Sequence, residues 1–144
     1  MSTIVVGVDG SDGSIAALRA ALKEAKARNA ALKVVSAWHI PPGAYGSGWA
    51  PVPVNRSDFE IIGEAALTKS LDAIAAEKDS VPITSIVREG QAAEILLAEA
   101  KNADMLVVGT RGLGGFRGLL LGSVSQQCAH HADCPVLIVP APET

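Results

Sequence analysis

The chain has 144 residues, with 12 Lys and Arg against 15 Asp and Glu, a formal net charge of −3, and 49% hydrophobic residues of which few are aromatic. That length predicts one domain, residues 1–144, and the apolar share is enough for a core of small aliphatic side chains. The mildly acidic balance, with no Lys/Arg run longer than a pair, argues against a nucleic-acid surface, and no apolar stretch approaches the roughly 20 residues of a membrane helix.

The opening, MSTIVVGVDGSDG, lacks a basic leader and runs straight into an apolar stretch, so no signal peptide is expected. Cys128 and Cys134 are then expected as reduced thiols in the cytoplasm. Thr3 to Val8 predicts a first buried strand. Asp9 to Ser14 is a polar turn able to cap a helix, and Ile15, Leu18, Leu22 and Ala25 recur at three- and four-residue steps as one apolar stripe. Lys23, Lys26 and Arg28 load the C-terminal end of that helix, which suits its dipole. Leu32 to Trp38 predicts a second strand.

From His39 to Ser57 the periodicity stops. This Pro- and Gly-rich stretch carries Tyr45 and Trp49, and is too long for an ordinary connection. It either folds over a ligand or partner, or rests on the surface. Asp58 to Glu77 predicts a second helix with Leu67, Leu71 and Ile74 inward. Val81 to Arg88 predicts a third strand whose alternating pattern suits an edge. Gln91 to Lys101 predicts a third helix, with Ile95, Leu96 and Ala100 facing in. Met105 to Val108, a short continuous apolar run, predicts a strand buried on both faces. A helix from Val124 to about His131 and a strand from Pro135 to Val139 complete the chain. Strands alternating with helices predict a five-stranded parallel, doubly wound sheet with helices on both faces, a Rossmann-like α/β fold.

Between the fourth strand and the last helix lies a glycine-rich loop. Gly109, Gly112, Gly114, Gly115, Gly118 and Gly122 crowd into it, and Ser123 to Gln126 has the spacing of a capping box. Strand, glycine loop and helix N-terminus together present N–H groups and a positive dipole end to an anion, with phosphate the obvious one. The P-loop pattern is absent, because no Lys occurs after Lys101. The dinucleotide fingerprint fails too, since Arg117 stands where its third glycine belongs. The loop must therefore work through backbone amides, hydroxyls, and Arg111 or Arg117 if either turns inward. The turns after the first and fourth strands both look equipped for a ligand. One ligand can touch both only if those strands are neighbours, which favours the order 3-2-1-4-5.

The spacing Gly109-x2-Gly112-x9-Gly122-Ser123 resembles the ATP-binding signature of the universal stress protein family, and matches it at all four positions. IVVGVDGS, VREGQAAEIL and CPVLIVP resemble other segments of that family, so the likeness covers nearly the whole chain. It implies the doubly wound fold and ATP as ligand, with Mg²⁺ or Mn²⁺ as candidate companions. It implies that Asp9 contacts the ribose or a metal, although a turn or cap role fits that residue as well. It implies that Ala37 offers backbone groups to adenine. Gly109, Gly112 and Gly122 would shape the loop around the phosphates, and Ser123, Val124 and Ser125 would present amides and hydroxyls to them. Arg111 and Arg117 are candidates to neutralise phosphate charge, or are solvated loop residues.

Cys128, His130, His131 and Cys134 are closely spaced, as zinc ligands often are, but a second ligand pair is missing. Buried thiols acting as small hydrophobes and exposed histidines are expected instead. No complete catalytic set is visible, so at most slow ATP hydrolysis is expected. Three functions stay open on these grounds: a nucleotide-regulated stress protein with an unidentified protein partner, a slow ATP-hydrolysing or adenylate-transferring enzyme, and an interaction module with an empty loop. The last strand, VLIV, lies at a sheet edge in the expected order and carries no charge. Covering such an edge predicts a homodimer through the C-terminal strand.

Overall fold

Ile4, Val5 and Val6 are all fully buried, as a run without alternation requires when both faces of a strand are covered by helices. The protein is described by a computed structural model over residues 2–41, 54–110 and 122–142. Its elements are β1 (Thr3–Gly7), α1 (Asp12–Arg28), β2 (Ala31–Trp38), α2 (Arg56–Ala73), β3 (Ile83–Glu89), α3 (Ala92–Glu99), β4 (Met105–Gly109), α4 (Ser123–His131) and β5 (Val136–Val139). The strands form a single parallel sheet in the order β3-β2-β1-β4-β5, the order expected from the two ligand-ready turns.

The two faces of the sheet carry separate cores. Ile4, Val6, Leu32, Val34 and Val107 pack with Leu18 and Leu22 of α1 and Leu67 of α2. Val5, Val35, Leu106 and Val108 pack on the other side with Leu96 of α3 and Cys128 of α4. The inward residues read from helical spacing are therefore in the core, with Ile95 and Leu71 only partly buried. β1 and α3 approach so closely that a Cβ on Gly7 would lie 2.6 Å from Leu96 Cδ1. A side chain at Gly7, the last residue of the central strand, would force the Leu96 side chain to shift. β3 is an edge strand, with Thr84, Ser85 and Arg88 exposed.

Boundaries shift where local chemistry differs from periodicity. α2 starts at Arg56 and not Asp58, because the Asn55 side chain accepts a hydrogen bond from Ser57 N–H at 3.1 Å and caps the helix. It ends at Ala73, and the following residues continue as tightened turns. Val81 and Pro82 stay outside β3, in keeping with a proline that has no N–H for a ladder. Among the described residues no helix is long and apolar enough to cross a membrane. Tyr45 and Trp49, and Arg111, Gly112 and Arg117 of the glycine loop, lie outside the described residues.

Candidate functional site

β1 and β4 are neighbours, paired Ile4 to Met105 through Val6 to Val107, so the turns that follow them open at the same edge of the sheet. The winding reverses between them: β1 leads to α1 on one face, and β4 leads to α4 on the other. This is the crevice in which open α/β sheets hold ligands.

The turn after β1 is built by its own polar side chains. Asp9 Oδ1 accepts hydrogen bonds from the Ser11 N–H at 2.9 Å and from the Ser11 hydroxyl. Ser11 in turn caps α1, its Oγ accepting from Ser14 N–H at 3.2 Å. The Ser14 hydroxyl donates to the Ser11 carbonyl and accepts from Asp9 N–H, each at 3.1 Å. Gly10 sits between them at φ +81°, a conformation that other residues adopt at a cost. The turn role of Asp9 is thus realised while Ser11 takes the cap, and the Asp9 carboxylate is held at the end of β1 beside the crevice.

The connection after β4 is closed at its neck. Thr110 N–H extends the sheet by donating to Val139 O at 3.0 Å, and its carbonyl accepts Gly122 N–H at 2.6 Å. The Ser125 hydroxyl donates to the same carbonyl at 2.9 Å and also lies 3.0 Å from Gly122 O. Gly109 ends β4 opposite Val139. The first and last positions of the glycine signature are therefore brought to the two sides of one hydrogen-bonded neck.

The capping box expected at Ser123 to Gln126 is not formed. Gly122 is the N-cap of α4, and Ser123 is already its first helical residue. The Gly122 carbonyl takes the first helical bond, from Gln126 N–H at 3.0 Å. No side chain caps this helix, as none caps α3, whereas α1 and α2 are capped by Ser11 and Asn55. The Gly122 N–H binds Thr110, so the amides of Ser123, Val124 and Ser125 carry the positive end of the helix. Gly122 itself has φ −65°, which any residue can adopt.

Ala37 is near the end of β2, beyond the last β1 contact. Val8 N–H donates to Val35 O at 2.9 Å, so Val35 faces β1 with its backbone groups; Ala37, two residues on, faces the same way above the end of that strand. Trp38 faces the opposite edge, its carbonyl accepting from Gly90 N–H at 2.8 Å. The orientation suits a backbone contact from Ala37 into the crevice. The rim beyond it is formed by Trp38, with the Arg56 guanidinium 5.5 Å from its ring centroid and ion-paired to Glu89.

Sequence reasoning missed Thr110. It acts through a backbone carbonyl, which leaves no trace in residue type. Of the residues singled out, Asp9, Ala37, Gly109, Gly122, Ser123, Val124 and Ser125 gather at one end of the sheet. Cys128 and Cys134 do not belong to the site. Cys128 is fully buried on the α3/α4 side, and burial together with Cys134 pushes its thiol up to about 11. Burial, with Asp133 and Asp104 nearby, raises Cys134 as well. His130 and His131 are exposed, and among the described residues no three His, Cys, Asp or Glu side chains converge as a metal site.

The description of the universal stress protein family matches residues 1–140. A universal stress protein of Thermus aquaticus is 37% identical over 148 aligned residues, covering 95% of this chain and 97% of that one. A universal stress protein of Mycolicibacterium smegmatis is 36% identical over 140 residues, covering 94% of this chain but 45% of its own length. The chain thus spans about half the length of the mycobacterial relatives it matches. Among solved structures, a universal stress protein in complex with cAMP superposes with a TM-score of 0.70 at 31% identity, covering 98% of each chain. With a family match over nearly its whole length and the family's sheet order, the chain belongs to the universal stress protein family.

Proposed function

We propose that residues 1–144 form one nucleotide-binding domain that holds ATP at the C-terminal edge of β1 and β4, and that occupancy sets its shape or its choice of partner. The observation that carries this reading is the junction of Gly122 with α4. The last glycine of the signature caps a helix that no side chain caps, and the first turn of that helix, Ser123, Val124 and Ser125, is tied to Thr110 at the end of β4, the strand beside β1. Backbone amides at a helix N-terminus are suited to phosphate oxygens. Ala37 supplies backbone groups to the base, and Asp9 supplies a carboxylate to the ribose or to a divalent ion. Such an ion, Mg²⁺ or Mn²⁺, takes most of its ligands from phosphate and water, so one protein carboxylate fits it. Gly109 and Gly112, having no side chain, suit a close backbone approach to phosphate, and Arg111 and Arg117 are the candidates to add charge.

A second reading has an observation of its own. The structural neighbour at 31% identity holds cAMP, which favours a cyclic nucleotide as an alternative occupant of the same site. Mass spectrometry of small molecules released by heat from the purified protein, with calorimetry against ATP and cAMP, separates the two. The absence of any bound or binding nucleotide would leave the empty interaction module. Hydrolysis is slow in this reading, because among the described residues no complete catalytic set accompanies Asp9. The protein works in the cytoplasm as a homodimer joined through β5, which covers the free edge of the sheet.

A further inference from the structure

We infer that the outer face of α2 is a docking surface for a basic amphipathic segment of a partner protein. α2 buries Gly63, Leu67 and Ser70 toward the sheet, and the Ser36 hydroxyl anchors it by donating to Gly63 O at 2.8 Å. Helical spacing then turns Ile61, Ile62 and Ala65 outward as one stripe, one turn beyond Asp58. Ile61 and Ile62 are 58% and 62% exposed, and are the large hydrophobic residues that the described surface leaves open. Single exposed hydrophobics are ordinary, but two adjacent isoleucines on one helix face make a patch with a direction.

Charge selects the occupant. Glu60 and Glu64 run along one flank of the stripe and Asp58 stands above it, all exposed. Asp58 lies in the first turn, where the helix dipole accounts for it. Glu60 and Glu64 lie beyond that turn, four residues apart, where like charges oppose one another on the helix. None of the three forms an ion pair with a described residue, and the nearby Arg56 is engaged by Glu89 and Trp38. An apolar stripe with an acidic flank fits a helix that carries aliphatic anchors beside Lys or Arg. It rejects a second copy of this face, which would bring acid against acid, and for the same reason an anionic membrane or nucleic acid.

The test uses the whole protein and a labelled synthetic helical peptide of leucine and lysine, read by fluorescence anisotropy and by the isoleucine methyl signals in NMR. Saturable binding is expected, with the Ile61 and Ile62 methyls shifting. The Ile61→Ser/Ile62→Ser and Glu60→Lys/Glu64→Lys proteins should each bind about tenfold more weakly or worse. These positions are exposed, so both proteins should fold, which circular dichroism checks. The same peptide with glutamate in place of lysine should not bind. Failure of the lysine peptide to bind, or equal binding by either variant, overturns the inference. So does comparable binding of the glutamate peptide. A native mass that falls on Ile61→Ser/Ile62→Ser also overturns it, because the face would then join two copies of this chain.

Discussion

The Ser125 hydroxyl donates to the carbonyl oxygen of Thr110 at 2.9 Å, across fifteen residues of sequence. Gly122 N–H donates to the same oxygen, so one carbonyl gathers both ends of the signature segment. Ser125 is buried, and its one hydroxyl proton is committed to the Thr110 and Gly122 carbonyls. Its contact with phosphate would therefore come from its N–H. Ser123 is exposed and its hydroxyl caps nothing. The two serines should separate on mutation. Ser125→Ala should lower stability by about 1 kcal/mol and weaken nucleotide binding by loosening the neck. Ser123→Ala should weaken binding with little change in stability. Denaturant titration and calorimetry on both proteins check this, and equal behaviour of the two serines would contradict the assignment.

Gly122→Glu should abolish ATP binding in a folded protein. The backbone at Gly122 is in an ordinary extended conformation, so the new residue is not strained. It places bulk and negative charge at the head of α4, where phosphate should sit. Unchanged ATP affinity in the folded variant would put the site elsewhere.

Asp9 has two candidate jobs, and one pair of variants divides them. Asp9→Asn keeps an oxygen that can accept from Ser11 N–H and hydroxyl, but removes the charge. Asp9→Ala removes both. If the turn is what counts, Asn should bind nucleotide almost as wild type and Ala should not. If the charge holds a metal or the ribose, both should lose affinity, and the loss should depend on added Mg²⁺ or Mn²⁺ in the metal case. A turnover of about 1–1000 per second, lost in Asp9→Ala with binding retained, would count against the regulatory reading.

The proposed homodimer can be tested at the free edge of β5. The carbonyls of Pro135 and Val139 accept from Leu106 and Thr110 of β4. By strand alternation Ile138 then turns its N–H to the free edge of β5. Ile138→Pro removes an outward donor without removing a bond to β4, whereas Leu137 packs against the α1-side core and a charge there disturbs folding. Light scattering should show a dimer for the native chain and a monomer for Ile138→Pro. A native mass near 14.7 kDa at micromolar concentration would refute the dimer.

Cys128 predicts a specific loss of stability in alkali. Its folded-state pKa, about 11, lies above the ordinary value of 9.0, so the folded protein holds this proton longer than the unfolded chain. The contribution is fully present below about pH 9 and is lost as pH rises toward about 11. At full titration it is on the order of 2–3 kcal/mol. Unfolding of wild type and Cys128→Ala across that window checks it, the variant showing the shallower fall. Alkylation of Cys128 in the folded protein should be slow at neutral pH.

What the residues alone determined was local. Unbroken apolar runs such as Ile4-Val5-Val6 named buried strands, because a strand covered on both faces has no place for alternation. Three- and four-residue spacing named the inward sides of α1 and α2, and two glycine- or Asp-bearing turns were enough to place β1 beside β4. The signature spacing marked the candidate phosphate loop. Only the tertiary structure decided which atom does which task. Ser123 and Gln126 satisfied the local rule for a capping box, yet the Thr110 carbonyl, arriving from β4, draws in Gly122 and the Ser125 hydroxyl and starts the helix one residue early. Ala37 faces the crevice because β1 stops short of it, and Ile138 N–H faces outward because β4 takes the alternate positions of β5. Periodicity records which side of an element is apolar. It carries no record of a backbone group delivered by a distant strand, since any residue type can supply one.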